Sequence, residues 1–262
     1  MRKAAALALL IAALGCGSSD QNPLLGGGGG GGGSSAGPPD AGTDTDAGPV
    51  SLVLAGIVCE VQDFRQPSPC IDLPEGVEVA LAGTTSVDDT DETDSMGLFY
   101  IELDYRPSFV DLTVTDPNGI LRQSIVRLPV PATGDLDQLA LPVLSPSSML
   151  AIESGLGEGP TDAVGVVVGL VNRDGGILGG AAVVEQPAGT LGGTYYDSDA
   201  FPYVDIGAST GDDGIFAIFA VPVVEPTVSF SLTPSSIEDP LPLSAPVAEG
   251  AITYVTYDLP TL

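Results

Sequence analysis

Apolar and polar positions alternate with a period of two in short runs along residues 51–262. Val77–Leu81, Leu98–Leu103 and Val110–Val114 place apolar side chains at every second position, as a strand with one buried face does. Glycine and proline break these runs about every ten residues, which points to many short strands. Asp116-Pro117-Asn118-Gly119 and Asn172-Arg173-Asp174-Gly175-Gly176 are turn sequences. The first half therefore predicts strands at Leu52–Val61, Val77–Leu81, Leu98–Leu103, Val110–Val114, Ile120–Leu128 and Leu136–Leu144. The second predicts them at Ala163–Val171, Gly180–Val184, Ile215–Phe219, Val228–Leu232 and Ile252–Leu259. No long stretch has the three-and-four spacing of an amphipathic helix. Between the halves, Ser147-Ser148 ahead of Met149–Glu153 predicts one capped helical turn, ended by Gly155.

The halves share a signature. Thr93-x-x-x-Gly97-Leu98-Phe99-x-Ile101 recurs at identical spacing as Thr210-x-x-x-Gly214-Ile215-Phe216-x-Ile218. The separation far exceeds the ~20–50-residue period of a solenoid. One small β domain built twice is the simpler reading, and the closing sequences Leu141-Pro142 and Leu259-Pro260 agree with it. The glycine admits positive φ ahead of a strand. Phe and Ile two apart share one face, so Phe99, Ile101, Phe216 and Ile218 are predicted core. The threonine suits a strand end.

Gly165–Val171, Gly180-Ala181-Ala182-Val183 and Thr210–Ile218 together resemble the carboxypeptidase regulatory-like domain. That resemblance implies a prealbumin-like (Ig-like) β-sandwich. The second half matches well; in the first, Val77–Leu81 lacks the Gly-Ala start and a cysteine loop is inserted. The family's members are accessory modules that spread, pack or bind, and they bring no catalytic residues. The expected fold is all-β: two tandem sandwiches at 51–144 and 161–262, with a linker at 145–160.

Ahead of the strands, Met1-Arg2-Lys3 is a basic start. Ala4–Leu14 is an unbroken apolar run, long enough for a signal-peptide core and too short to span a bilayer. Ala13-Leu14-Gly15-Cys16 resembles the lipobox of bacterial lipoproteins, which implies removal of residues 1–15 and lipidation of Cys16. The chain is then expected at the cell envelope, on the outer membrane, held by its N-terminal lipid. Residues 16–50, with eight consecutive glycines at Gly26–Gly33, cannot bury enough apolar surface to offset the entropy of ordering. They read as a disordered tether spanning roughly 30–35 Å.

The formal net charge is −28, from 35 acidic and 7 basic residues. Loss of Arg2 and Lys3 would leave five arginines and no lysine. Such a surface repels nucleic acid and anionic headgroups. Cys59 and Cys70, in an oxidising compartment, predict a disulfide; closing so short a loop contributes on the order of 3 kcal/mol.

There is no histidine, which removes Ser-His-Asp and Cys-His nucleophile systems. No Gly-Lys-Ser/Thr phosphate loop is present. No enzyme and no cofactor is expected. The acidic run Asp88, Asp89, Asp91, Glu92, Asp94 departs from the EF-hand template. Asp89, Asp91 and Asp94 are weak calcium candidates beside the alternative of a solvated loop. Residues 192–204 of the second half have no counterpart in the first and hold Tyr195, Tyr196, Phe201 and Tyr203. These four rings either cap the open end of the sandwich or form a recognition loop. The expected function is a structural or adhesive surface module, with a saccharide- or peptide-binding protein as the alternative. The partner is an unnamed envelope protein or glycan, and the sequence leaves the oligomeric state open.

Overall fold

The computed structural model describes residues 51–65, 69–83, 89–185, 193–235 and 239–259. The signal peptide, Cys16 and the tether lie outside the described residues, as do Asp88 and Gly192. The first half contains β1 (Leu52–Glu60), β2 (Glu78–Leu81), β3 (Thr90–Glu92), β4 (Leu98–Leu103), β5 (Phe109–Thr115), β6 (Ser124–Pro129) and β7 (Leu136–Val143). A helix, α1 (Pro146–Leu156), follows. The second half contains β8 (Gly165–Arg173), β9 (Gly176–Ile177), β10 (Ala181–Glu185), β11 (Thr194–Asp197), β12 (Val204–Asp205), β13 (Ile215–Val221), β14 (Thr227–Pro234), β15 (Leu241–Pro246) and β16 (Ile252–Leu259). Among the described residues the fold is all-β apart from α1.

The two halves use the same pairings. In the first, β1 is antiparallel to β4 and parallel to β7. In the second, β8 is antiparallel to β13 and parallel to β16. Likewise β2 and β6 flank β5, as β10 and β15 flank β14. The shared signature marks a shared hydrogen-bond set. Thr93 Oγ1 accepts from Val77 N at 2.9 Å and donates to Pro74 O at 2.8 Å. Thr210 Oγ1 accepts from Ala181 N and donates to Leu178 O, both at 3.0 Å. Both threonines are buried. Each hydroxyl clamps the segment that enters β2 or β10, a role the spacing alone did not indicate. Gly97 O and Gly214 O each accept at 2.9 Å, from Val58 N and Val171 N. Both glycines have positive φ, 69° and 65°, and a Cβ on either would meet those partner strands. Gly76 and Gly180, at φ 74° and 77°, enter β2 and β10 alike. The first half therefore does carry the glycine that its looser match to the second half concealed.

The halves are fused. β6 of the first pairs in parallel with β16 of the second, which makes one ten-stranded sheet ordered β12-β11-β13-β8-β16-β6-β5-β2-β3, with β9 on β8. The sheets β4-β1-β7 and β10-β14-β15 are separate. Val166, Val168, Ile215, Ala217 and Phe219 join the core of the first half, with Leu54, Phe99, Ile101 and Leu112. Their neighbours Val167, Val171, Phe216 and Ile218 join Phe230 and Leu232 on the opposite side. The middle of this sheet is thus buried on both faces. Its strands read as continuous apolar runs, as such burial requires: Ile215–Val221 is Ile-Phe-Ala-Ile-Phe-Ala-Val, whereas Leu98–Leu103 alternates. Phe99, Ile101, Phe216 and Ile218 are all buried.

Several features differ from the sequence expectation: it places no strand at β3, β9 or β12, and β6 begins at Ser124 instead of Ile120. The helix has three turns, with Ser145 as N-cap, Pro at its first turn and Gly157 as left-handed C-cap; the stop is two residues beyond Gly155. Met149 and Ile152 bury into the first half's core, and that packing extends the helix past one turn. The strand β15 carries Pro242 and Pro246, which weaken its sequence signal. Finally, residues 194–197 form strand β11 instead of a loop.

Candidate functional site

The insertion of the second half is built on β11 and β12. Tyr196 and Asp197 pair with Asp205 and Val204, and Thr194–Tyr196 pair with β13. Adjacent residues of a strand point to opposite faces, and here both faces are covered. Tyr195 packs edge-on against Phe219 at 5.4 Å and donates to Glu158. Desolvation first, and then Glu158, pushes its pKa up to about 12. Tyr196 lies in the opposite core, where its hydroxyl accepts from Val183 N at 3.0 Å. Both rings are buried at 6% exposure. The recognition reading of Tyr195 and Tyr196 is therefore corrected: a sheet buried on both faces absorbs both side chains.

Phe201 and Tyr203 remain near the surface. Phe201 is 54% exposed and meets Tyr203 edge-on at 5.8 Å. Ser198 N donates to Tyr203 O at 2.9 Å, and Tyr203 N donates to Ala200 O at 2.7 Å. This tight loop holds Tyr203 at φ 69°, a left-handed conformation that a bulky residue adopts only under constraint. Asp197 anchors the neighbouring loop by accepting from Gly211 N, Asp213 N and Ile215 N at 2.7, 3.0 and 3.1 Å.

Across from this loop stands the cysteine loop of the first half. Cys59 and Cys70 are bonded, with Cα atoms 5.3 Å apart. Downstream of Cys59, Phe64 is fully buried and packs on Phe219 at 5.8 Å. The Arg65 guanidinium lies 3.9 Å over the Tyr203 ring. It also reaches Asp63 at 3.4 Å and Asp213 at 4.0 Å. Burial first, and then the charge of Asp197, raises the Asp213 pKa, while Arg65 acts to lower it. The result is an aromatic pair backed by one cation and rimmed by carboxylates. Such a surface can stack on a planar or apolar ligand face and accept hydrogen bonds.

Two carboxylates of the acidic run are engaged by backbone amides. Asp94 Oδ1 accepts from Met96 N and Leu98 N at 2.8 and 3.0 Å, while Asp91 Oδ2 accepts from Tyr100 N at 2.6 Å. Asp89 precedes β3. Among the described residues, no group of three or more His, Cys, Asp or Glu side chains is placed to hold a metal. The calcium candidates Asp89, Asp91 and Asp94 are thus not gathered into such a group, and Asp91 and Asp94 serve backbone amides. In the second half Asp197 does for Asp213 N and Ile215 N what Asp94 does for Met96 N and Leu98 N.

A further polar cluster sits where the halves meet, and sequence reasoning did not single it out. Buried Glu153 of α1 accepts from Thr161 N at 3.0 Å and from Arg122 Nη1 at 3.4 Å. Arg122 also donates to Thr161 Oγ1 at 3.0 Å and Asp162 Oδ1 at 2.9 Å. It ties the first half, the helix and the second half together.

No protein-family profile matches the chain, and no curated protein does. A solved structure, the Bacillus anthracis TIE protein, aligns with 80% of this chain and 34% of its own, at 12% identity and a TM-score of 0.27. The chain spans about a third of that protein's length.

Proposed function

We propose that the chain is a non-enzymatic, envelope-anchored lipoprotein that acts as a rigid structural or adhesive module on a lipid-attached tether. The carrying observation is that a set of buried polar and aromatic side chains joins the two halves. Tyr195, Phe64, Arg122 and Glu153 all lie at that junction, and β6 and β16 share a sheet. A body joined this way transmits load without opening at a hinge. The absence of histidine from the chain agrees with a non-catalytic role. The resemblance of the second half, and more loosely of the first, to the carboxypeptidase regulatory-like domain agrees with an accessory module. Residues Ala13–Cys16 support the anchor. Expressed in a bacterial host, the protein should partition into detergent, and Cys16→Ser should release it to the soluble fraction. Equal partitioning of both forms would remove the anchor from this reading.

A second reading rests on the Phe201–Tyr203–Arg65 cluster: a saccharide- or peptide-binding protein serving a neighbouring envelope assembly. Glycan and peptide arrays probed with the purified chain separate the two. A specific micromolar hit that Phe201→Ser weakens would favour the second reading; the absence of any hit would favour the first.

A further inference from the structure

One sheet face is covered in the second half and open in the first. In the second half, the outward residues of β8 and β13, among them Val166, Val168, Ile215, Ala217 and Phe219, lie against the first half. The equivalent residues of the first half are Val53, Ala55 and Ile57 on β1, and Leu98, Tyr100 and Glu102 on β4. Register sets them side by side: Ile57 opposite Leu98, Ala55 opposite Tyr100, Val53 opposite Glu102. Leu98 is 41% and Tyr100 54% exposed. Ala140 of β7 continues the row beside Ile57. At the Gly97 end the face adjoins Leu73, whose Cβ lies 3.1 Å from the place a Gly97 Cβ would take.

The rim is acidic. Glu102 lies on the face, and its Oε2 is 3.5 Å from the Tyr100 hydroxyl. Asp135 accepts from Val53 N at 3.0 Å, and Asp91 accepts from Tyr100 N. Asp104 and Asp137 are exposed nearby in the chain. Arg106 is turned to the carbonyls of Ser51, Pro131 and Gly134 at 2.9, 3.0 and 2.7 Å, and lies 3.8 Å from Asp135. The edge of β4 is blocked, because Leu98 N and Tyr100 N already donate to Asp94 and Asp91. At β4 a partner strand therefore finds a face to lie on and no edge to extend. A second copy of this chain would bring the same carboxylates against their like.

We propose that the open face of β4-β1-β7, centred on Ile57, Leu98 and Tyr100, docks a protein segment that presents apolar side chains flanked by lysine or arginine. The apolar centre supplies burial, and the carboxylate rim supplies register and encounter rate. Long basic side chains suit such a face, since their stems lie on apolar surface while the charged ends reach the rim. This deepens the adhesive reading by naming where adhesion occurs and what chemistry it takes.

The test uses the purified mature chain and a synthetic octapeptide alternating Lys with Val and Leu, read by calorimetry. A Leu98→Ser/Tyr100→Ser variant should bind at least ~10-fold more weakly. Glu102→Lys, which leaves the apolar centre intact, should also weaken binding. Half-molar salt should weaken it several-fold by screening the rim. The same peptide with Glu in place of Lys should not bind. Unchanged melting of the variants shows that they fold, since each altered side chain is exposed. Equal affinity of the double variant, equal affinity for the Glu peptide, or no binding up to millimolar peptide overturns the proposal. A dimer in sedimentation that the double variant abolishes also overturns it, in favour of a second copy. Detergent partitioning is independent of the peptide, so loss of this docking site leaves the anchoring result standing.

Discussion

Replacing Thr93 or Thr210 by valine tests whether the repeated signature is a hydrogen-bond device or a packing one. Valine keeps the shape and the methyl group and deletes the hydroxyl. In the first half this orphans Val77 N and Pro74 O; in the second it orphans Ala181 N and Leu178 O. A buried group left without a partner costs about 1–3 kcal/mol. Pro74 O and Leu178 O lie in part-buried residues, so each substitution should cost about 2–4 kcal/mol in total. For a folded unit of this size that corresponds to a Tm lower by roughly 5–15 °C. The two variants should also behave alike, because their geometry differs by no more than 0.2 Å in either bond. The halves share a sheet and a core, so each variant should move one common unfolding transition instead of splitting it. Urea unfolding followed by circular dichroism and by tyrosine fluorescence reads both points. A loss below about 1 kcal/mol in either variant would mean that the threonine is a strand-end preference and nothing more. Two separated transitions would mean that the junction does not couple the halves.

Three other outcomes follow from the same geometry. Tyr195→Ser and Tyr196→Ser should each cost about 3 kcal/mol or more, since each ring fills one face of a doubly buried sheet; a double variant that melts within a few degrees of the parent would restore the recognition reading. Burial raises the pKa of Tyr195, Tyr196, Tyr254 and Tyr257, so the unfolded chain ionises first. Stability should hold below pH ~10 and fall as pH rises towards about 12, less steeply in Tyr195→Phe; an unchanged urea midpoint between pH 9 and 11.5 would contradict this. Thiol titration of the unreduced, unfolded mature protein should find neither Cys59 nor Cys70 free, and two reactive thiols would refute the bond.

Period-two alternation, turn residues and the Thr-x-x-x-Gly-x-Phe-x-Ile repeat were enough to place most strands, because those signals are local: one strand, one face, one turn. They also placed Phe99, Ile101, Phe216 and Ile218 in the core, while the pairing of the two cysteines was read from their even number in an exported chain. Sequence by itself did not determine how the two copies meet. The sign of it was present in Ile215–Val221, a continuous apolar run where Leu98–Leu103 alternates, yet such a run alone does not say what lies on the second face. Pairing of β6 with β16 decides that, by laying the first half over the outer face of β8 and β13. The same event decides the fate of the aromatic insertion. Four rings among glycines and aspartates read as a loop, since Thr194–Asp197 is too short for a period to register. Only with a core on each side of β11 do Tyr195 and Tyr196 become structural, while Phe201 and Tyr203 stay beyond the sheet's end. It equally decides what is left uncovered. The apolar residues of β1 and β4 look the same in sequence whether buried or open; tertiary structure covers the second half's version and leaves the first half's exposed.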